Sequence, residues 1–127
     1  MGREDSIATK KILVVDDEQN IRLVLRGMLE KHYIVLEASD GQEAIDIARS
    51  QKPDLIFMDL FMPGTDGYTA CHTIKTDKAT KAIPVVMLTA VGHQLNRELG
   101  KKVGADEYIT KPFKKEGLLD VIDRFLK

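Results

Sequence analysis

Short apolar runs alternate with helical patterns along the chain. The four-residue runs Ile12–Val15 and Leu55–Met58 are rich in branched or aromatic side chains, which is typical of strands buried on both faces of a parallel sheet. Further strands are predicted over Tyr33–Ala38, Val85–Leu88 and Asp106–Ile109. Strict alternation of strands and helices with short connections predicts an α/β domain with a single doubly wound five-stranded parallel sheet.

Helical periodicity predicts five helices. The first spans about Glu18–Lys31, and Asp40, with Glu43 three residues later, predicts a capping box for the second. Asp66 is predicted to cap the third helix from the turn that precedes it. The fourth predicted helix has a narrow apolar stripe and the fifth a broad one; these stripes are Leu95, Leu99 and Val103, and Leu118, Leu119, Ile122, Phe125 and Leu126.

The composition limits the possible classes of function. The 127 residues suit one domain, and 19 basic against 20 acidic residues leave a net charge of -1, which provides no general field for nucleic acid or an anionic membrane. The single cysteine, Cys71, excludes an internal disulfide. Residues 1–10 are a polar tail without a signal-peptide core, and no apolar stretch is long enough to span a bilayer. We therefore expect a cytoplasmic protein that binds neither nucleic acid directly nor a membrane.

Acidic residues directly follow two of the buried strands. Asp16 and Asp17 end the first apolar run, and Asp59 ends the run Leu55–Met58. Because the carboxyl ends of parallel strands meet at one edge of a sheet, these three carboxylates are expected to converge there. Mutual repulsion favours binding of a proton or a hard divalent cation. Taken singly, Asp17 could instead cap the first helix.

The ends of two further strands add a hydroxyl and an ammonium group. Thr89 follows the fourth strand, and Lys111 follows the fifth. A nucleophilic carboxylate, a metal, a hydroxyl and a lysine are together what phosphoryl transfer requires. Each residue alone has an ordinary alternative, since a strand-end hydroxyl often bonds to backbone and a lysine is often a solvated charge.

Taken together, these residues resemble the receiver domain of bacterial two-component response regulators. The resemblance runs from about Lys11 to Leu126. It rests on four motifs in order: Val15-Asp16-Asp17, Met58-Asp59-Leu60-Phe61-Met62-Pro63-Gly64, Leu88-Thr89-Ala90 and Thr110-Lys111-Pro112-Phe113. It implies a receiver domain over residues 11–127 with a flavodoxin-like strand order 2-1-3-4-5.

The resemblance also implies the nucleophile and the metal ligands. Asp59 would be the phosphoacceptor. Mg²⁺ would be bound directly by Asp17, Asp59 and the backbone carbonyl of Phe61, and largely through water by Asp16.

Three further residues have roles implied in the same way. Lys111 would pair with the phosphoryl group, and the hydroxyl of Thr89 would move to bond it. Tyr108 would be the aromatic residue that rotates inward on activation, although an aromatic on a short edge strand often just covers core. The Lys111-Pro112 peptide bond is expected to be cis.

The implied function is a phosphorylation switch rather than an enzyme, although the domain could promote its own phosphorylation and dephosphorylation. The phosphoryl donor would be a sensor histidine kinase or a phosphotransfer protein. The output partner or effector would bind the surface of the predicted fourth helix, fifth strand and fifth helix. A Mg-dependent phosphatase with an Asp nucleophile would normally have an acid where Phe61 stands, and a nucleotide or flavin module would need a Gly-rich turn. An unphosphorylated adaptor would lack one of the site residues.

Overall fold

Five strands within the part of the chain that the structure describes form one parallel sheet. A computed structural model describes residues 10–60, 62, 64, 66–89 and 102–126, the side chain of Thr89 excluded. The strands are β1 Lys11–Val15, β2 Ile34–Ala38, β3 Leu55–Asp59, β4 Val85–Thr89 and β5 Glu107–Thr110. Their order is β2-β1-β3-β4-β5, which confirms both the predicted sheet and the strand order implied by the resemblance.

Within the described residues, four helices accompany the sheet. They are α1 Gln19–Leu29, α2 Gly41–Gln51, α3 Gly67–Thr76 and α4 Lys115–Leu126. Helix α1 ends at Leu29, before the predicted Lys31, and the N–H groups of His32 and Tyr33 both bond the carbonyl of Leu29 in the turn that leads into β2. The predicted fourth helix falls mainly on residues 90–101, outside the described residues, and helix α4 is the fifth helix of the sequence prediction.

Side-chain caps fix where two helices begin. Asp40 Oδ1 accepts from the N–H of Glu43 at 2.8 Å, and Asp66 Oδ1 accepts from the N–H of Thr69 at 2.8 Å, as predicted. Glu43 reaches back to the N–H of Ser39 rather than that of Asp40, so the capping box is shifted by one residue. The N-cap of α1 is Glu18, which makes no side-chain cap, so the alternative of Asp17 as the cap of this helix is excluded.

The core forms two layers, one on each face of the sheet. Leu13 and Val15 of β1 pack in the layer with α2 and α3, whereas Ile12 and Val14 pack in the layer with α1 and α4. Strand β3 is buried at every position, which explains its uninterrupted apolar run. No described helix has the length and apolarity needed to cross a membrane.

The strand register aligns the functional ends of the strands. Val15 pairs with Met58, so the following residues, Asp16 and Asp59, come side by side. Thr89 pairs with Thr110, the residue before Lys111. The central strands therefore deliver the acids, and the edge strand delivers the lysine, to one edge of the sheet.

Candidate functional site

Three carboxylates meet at the carboxyl edge of the sheet. One oxygen from each of Asp16, Asp17 and Asp59 lies within 4.8 Å of the others. Asp16 is 1% exposed and Asp59 is 6% exposed, while Asp17 is open to solvent. Two carboxylates are thus withdrawn from water, and the third remains at the entrance of the site. We call these three residues the acid cluster.

Lys111 provides a positive charge beside the acid cluster. Its Nζ donates to Asp59 Oδ1 at 2.8 Å and lies 3.6 Å from Asp16 Oδ2. Burial by itself would lower the pKa of Lys111, but the hydrogen bond and the charges of Asp59 and Asp16 together raise it above its ordinary value. The ammonium therefore stays protonated at neutral pH, and it balances part of the negative charge.

One carboxylate oxygen of Asp16 makes no hydrogen bond within the described residues, although the Lys111 ammonium lies 3.6 Å from it. Asp16 Oδ1 accepts from the N–H of Glu18 at 2.9 Å, but Asp16 Oδ2 is buried and has no hydrogen-bond partner among the described residues. Burial raises the pKa of Asp16, and the charges of Asp59 and Asp17 add to the rise, while the Glu18 bond and Lys111 oppose it. Three carboxylates with one ammonium and an unsatisfied buried oxygen fit a hard divalent cation.

The remaining predicted residues are described to different extents. Thr89 ends β4 beside Thr110 in β5, but its hydroxyl lies outside the described part of the chain, as does Phe61 with its carbonyl. Tyr108 is half-buried in β5 and packs against the α2/α3 layer. The Lys111-Pro112 bond is cis, as expected from the resemblance.

Gly67 is a residue of the site that the sequence reasoning did not single out. A Cβ at this position would lie 2.9 Å from the Cα of Leu60 and would overlap the carbonyl oxygen of Asp59. The N–H of Gly67 bonds the Leu60 carbonyl at 3.1 Å. Helix α3 therefore begins directly on the Asp59–Leu60 peptide, and only glycine permits this approach. The sequence signal, Asp66-Gly67 after the strand, indicated merely a turn.

Several named proteins are similar to the chain. Protein PilH of Pseudomonas aeruginosa is 40% identical over 117 residues, which cover 91% of this chain and 97% of PilH. The transcriptional regulatory protein ResD of Bacillus subtilis is 49% identical over 110 residues, which cover 86% of this chain and 45% of ResD. The chain thus spans about half the length of the transcriptional regulators that it matches.

Solved structures share the fold of this chain. The chemotaxis protein CheY4 of Vibrio cholerae superposes with a TM-score of 0.87 at 34% identity, over 94% of this chain and 100% of that one. The receiver domain of a sensor histidine kinase from Pseudomonas aeruginosa superposes with a TM-score of 0.86 at 34% identity, over 93% of this chain and 98% of that one. That domain was crystallised with a magnesium ion coordinated in its active site cleft.

The family model for the response regulator receiver domain matches residues 12–123. This match covers most of the chain and includes the acid cluster and Lys111. The chain therefore belongs to the response regulator receiver domain family.

Proposed function

We propose that Asp59 accepts a phosphoryl group from a phosphohistidine donor in a Mg²⁺-dependent reaction, and that the phosphorylated domain controls a partner. The observation that carries this proposal is the placement of Asp59, which is nearly buried, 2.8 Å from Lys111 and within the acid cluster. Family membership supports the reaction class, and the magnesium-bound relative supports the metal. Receiver domain boundaries of residues 11–127, after a polar tail of residues 1–10, are part of the proposal.

The proposed metal ligands are Asp16, Asp17, Asp59 and the carbonyl of Phe61. Their donor atoms are all oxygen, and two of the carboxylates are buried, which suits Mg²⁺ better than a softer metal. When bound, the ion neutralises charge on the phosphoryl oxygens and on the acid cluster. The buried Oδ2 of Asp16, which has no hydrogen bond within the described residues and only the Lys111 ammonium 3.6 Å away, is an atom that such an ion could satisfy.

Asp59 and Lys111 are the side chains that take part in the proposed phosphoryl transfer. A carboxylate oxygen of Asp59 attacks phosphorus, the P–N bond to the donor histidine breaks, and the departing imidazole keeps the electron pair. The product is an acyl phosphate on Asp59. Because its pKa is raised, the Lys111 ammonium keeps its charge and can move its hydrogen bond from the carboxylate to a phosphoryl oxygen.

The proposed switch uses Thr89 and Tyr108. A phosphoryl group can shift a conformational equilibrium only by interacting differently with the two states, and the Thr89 hydroxyl would supply a contact that exists only after phosphorylation. Tyr108 lies in the neighbouring strand, half-buried against the α2/α3 layer, where a rotation would change the surface of β5. The domain would act as a switch that promotes its own phosphorylation and dephosphorylation, rather than as an enzyme that turns over a separate substrate.

The proposed partners follow from this chemistry. The donor is a sensor histidine kinase or a phosphotransfer protein. The output partner or effector binds the surface made by the predicted fourth helix, β5 and α4. The proposed compartment is the cytoplasm, which suits a chain whose single cysteine, Cys71, is a free thiol.

The decisive experiment is incubation with acetyl phosphate and Mg²⁺, followed by intact-mass measurement and peptide mapping. We expect one phosphoryl group, stable to acid and labile to base, on Asp59. Asp59→Asn should abolish labelling completely. Asp54→Asn is the matched control, because Asp54 lies directly before the same strand, about 16 Å from Asp59 at about 3.3 Å per residue. The Asp54 carboxylate bonds the N–H of Lys11, and an asparagine oxygen can still accept that bond.

Three outcomes would contradict the proposal. Labelling of His32, His72 or His93 in place of Asp59 would overturn the phosphoacceptor assignment. Labelling without Mg²⁺ at the same rate would overturn the metal requirement. Sustained hydrolysis of a phosphomonoester such as p-nitrophenyl phosphate would favour a phosphatase over a switch.

A further inference from the structure

The backbone of Asp16 is held on both sides. Its N–H donates to the carbonyl of Ala38 at 3.1 Å, and its carbonyl accepts from Arg22 Nη1 at 2.7 Å. The side-chain Oδ1 accepts from the N–H of Glu18. These three bonds therefore fix Asp16 in the described structure. Its second carboxylate oxygen, Oδ2, makes no hydrogen bond within the described residues and remains available to a cation bound at the acid cluster.

The guanidinium of Arg22 is itself held in place. Its Nε donates to Glu37 Oε1 at 2.9 Å, and the other carboxylate oxygen of Glu37 accepts from Arg26 Nε at 2.8 Å. Burial alone would raise the pKa of Glu37, but the hydrogen bonds and charges of Arg26 and Arg22 lower it below its ordinary value. The Arg22 side chain is 16% exposed, so the group is largely withdrawn from solvent rather than a mobile surface charge.

We infer that Arg22 is a positioning residue for the acid cluster, and that Glu37 holds it in that role. Arg22 binds the oxygen of the peptide that joins Asp16 to Asp17. The same peptide leads into Asp17, so holding its oxygen restricts where the exposed Asp17 carboxylate can lie. The inference rests on the proposed function, since it assigns the residues that orient the proposed metal ligands. Loss of comparable outer-shell partners in metalloproteins typically weakens metal binding about 10- to 100-fold.

The direction in which Mg²⁺ affinity changes when Arg22 is removed distinguishes a positioning role from a purely electrostatic one. Arg22 carries a positive charge next to the acid cluster, so as a charge alone it repels Mg²⁺, and its removal would tighten binding. As a positioning residue it keeps the ligands in place, and its removal would weaken binding. Arg26 offers a matched control on the same helix, because it also pairs with Glu37 but bonds the carbonyl of Val35 instead of that of Asp16.

The test measures Mg²⁺ dissociation constants by calorimetric titration, together with unfolding by urea in EDTA. We expect Arg22→Gln to bind Mg²⁺ about tenfold more weakly than the parent, and Arg26→Gln to stay within about twofold of it. Each variant loses one Glu37 ion pair and one backbone bond, and Arg26→Gln also loses an exposed pair with Glu30 at 3.9 Å, which contributes little, so their metal-free stabilities should fall by similar amounts. A purely structural role would lower stability without separating the two dissociation constants.

Arg22→Lys provides a second measurement if Arg22→Gln does not fold. It keeps the charge but lacks the fork that serves Glu37 and the Asp16 carbonyl at once, so it should also weaken Mg²⁺ binding. Unchanged or tighter binding in the Arg22 variants, or equal weakening in Arg26→Gln, would overturn the inference. A parent protein that binds no Mg²⁺ would overturn the metal assignment of the proposed function first, and this inference with it.

Discussion

Aspartates lie at both the amino edge and the carboxyl edge of the sheet, and their carboxylates differ in how far hydrogen bonds satisfy them. At the amino edge, Asp54 Oδ2 accepts from the N–H of Lys11 at 2.8 Å. At the same edge, Asp106 Oδ2 accepts from the N–H of Val85 at 2.8 Å and from Lys75 Nζ at 3.0 Å. At the carboxyl edge, Asp16 keeps a buried oxygen without a hydrogen bond among the described residues.

The polarity of a parallel sheet accounts for this difference. The first residues of its strands present N–H groups to the amino edge, and these donors can satisfy a carboxylate. The last residues present carbonyl groups, which cannot donate a hydrogen bond. Acids at the carboxyl edge must find cations or the N–H groups of a helix start, as Asp16 finds the N–H of Glu18. Aspartates at the amino edge therefore stabilise the fold through hydrogen bonds, whereas aspartates at the carboxyl edge have few N–H donors and favour binding of a cation.

The largest effect expected from this comparison is stabilisation by Mg²⁺. At a hundredfold excess over the dissociation constant, the free energy of unfolding should rise by about 2.7 kcal/mol. The double variant Asp16→Asn, Asp17→Asn should lose this gain, because it removes two of the three carboxylates. Asp54→Asn at the amino edge should retain it. Urea unfolding with and without Mg²⁺ measures each case. If the parent gains no stability, the acids at the carboxyl edge do not bind the ion and the comparison is wrong.

Smaller changes in the free energy of unfolding are expected when one aspartate at each edge is replaced by asparagine. The change at the amino edge and the change at the carboxyl edge should have opposite signs. Asp106→Asn removes the charge that pairs with Lys75 and should lower the free energy of unfolding by about 1 kcal/mol. Asp16→Asn removes a carboxylate that its neighbours repel, and it should raise the stability of the metal-free protein. Both variants are unfolded in urea with EDTA. The comparison fails if the two substitutions change stability in the same direction.

The sheet and the acid cluster could be predicted because their signals are local. The run Leu55–Met58 and the acid after it are adjacent in sequence, and the rule that strand ends meet at one edge supplies the rest. Lys111 was predictable for the same reason, since it directly follows β5.

The supporting contacts could not be predicted because they depend on packing between elements. Arg22 lies six residues beyond Asp16 on a helix, where an arginine ordinarily indicates a solvated face. Its contact with the Asp16 carbonyl depends on how α1 lies against β2 and Glu37. The role of Gly67 depends on how closely α3 begins beside Asp59. The Lys75–Asp106 pair joins α3 to the residue before β5, a pairing that strand order alone does not give.

The smallest expected effect is a change in the pH dependence of stability rather than in its level. Burial, with the charges of Asp59 and Asp17, raises the pKa of Asp16 above 3.8, so the folded protein holds a proton that the unfolded chain releases. Stability contributed by that proton is present at low pH and is lost as the pH rises from 3.8 through the folded pKa. Glu37 is the opposite case, because its pKa is lowered from 4.5 and its contribution is lost as the pH falls below that value.

This contrast is measured by urea unfolding with EDTA between about pH 3 and pH 7. For each variant, the difference between its free energy of unfolding and that of the parent is plotted against pH. Asp16→Asn should gain stability relative to the parent as the pH rises above 3.8, because the variant has no buried carboxylate to ionise. Glu37→Gln should lose stability relative to the parent as the pH rises through the region below 4.5, because only the parent gains the charged pairs with Arg22 and Arg26. The slopes must therefore have opposite signs. A flat curve for Asp16→Asn would mean that Lys111 and the Glu18 N–H already offset the burial of Asp16, and that this oxygen makes no demand for a cation.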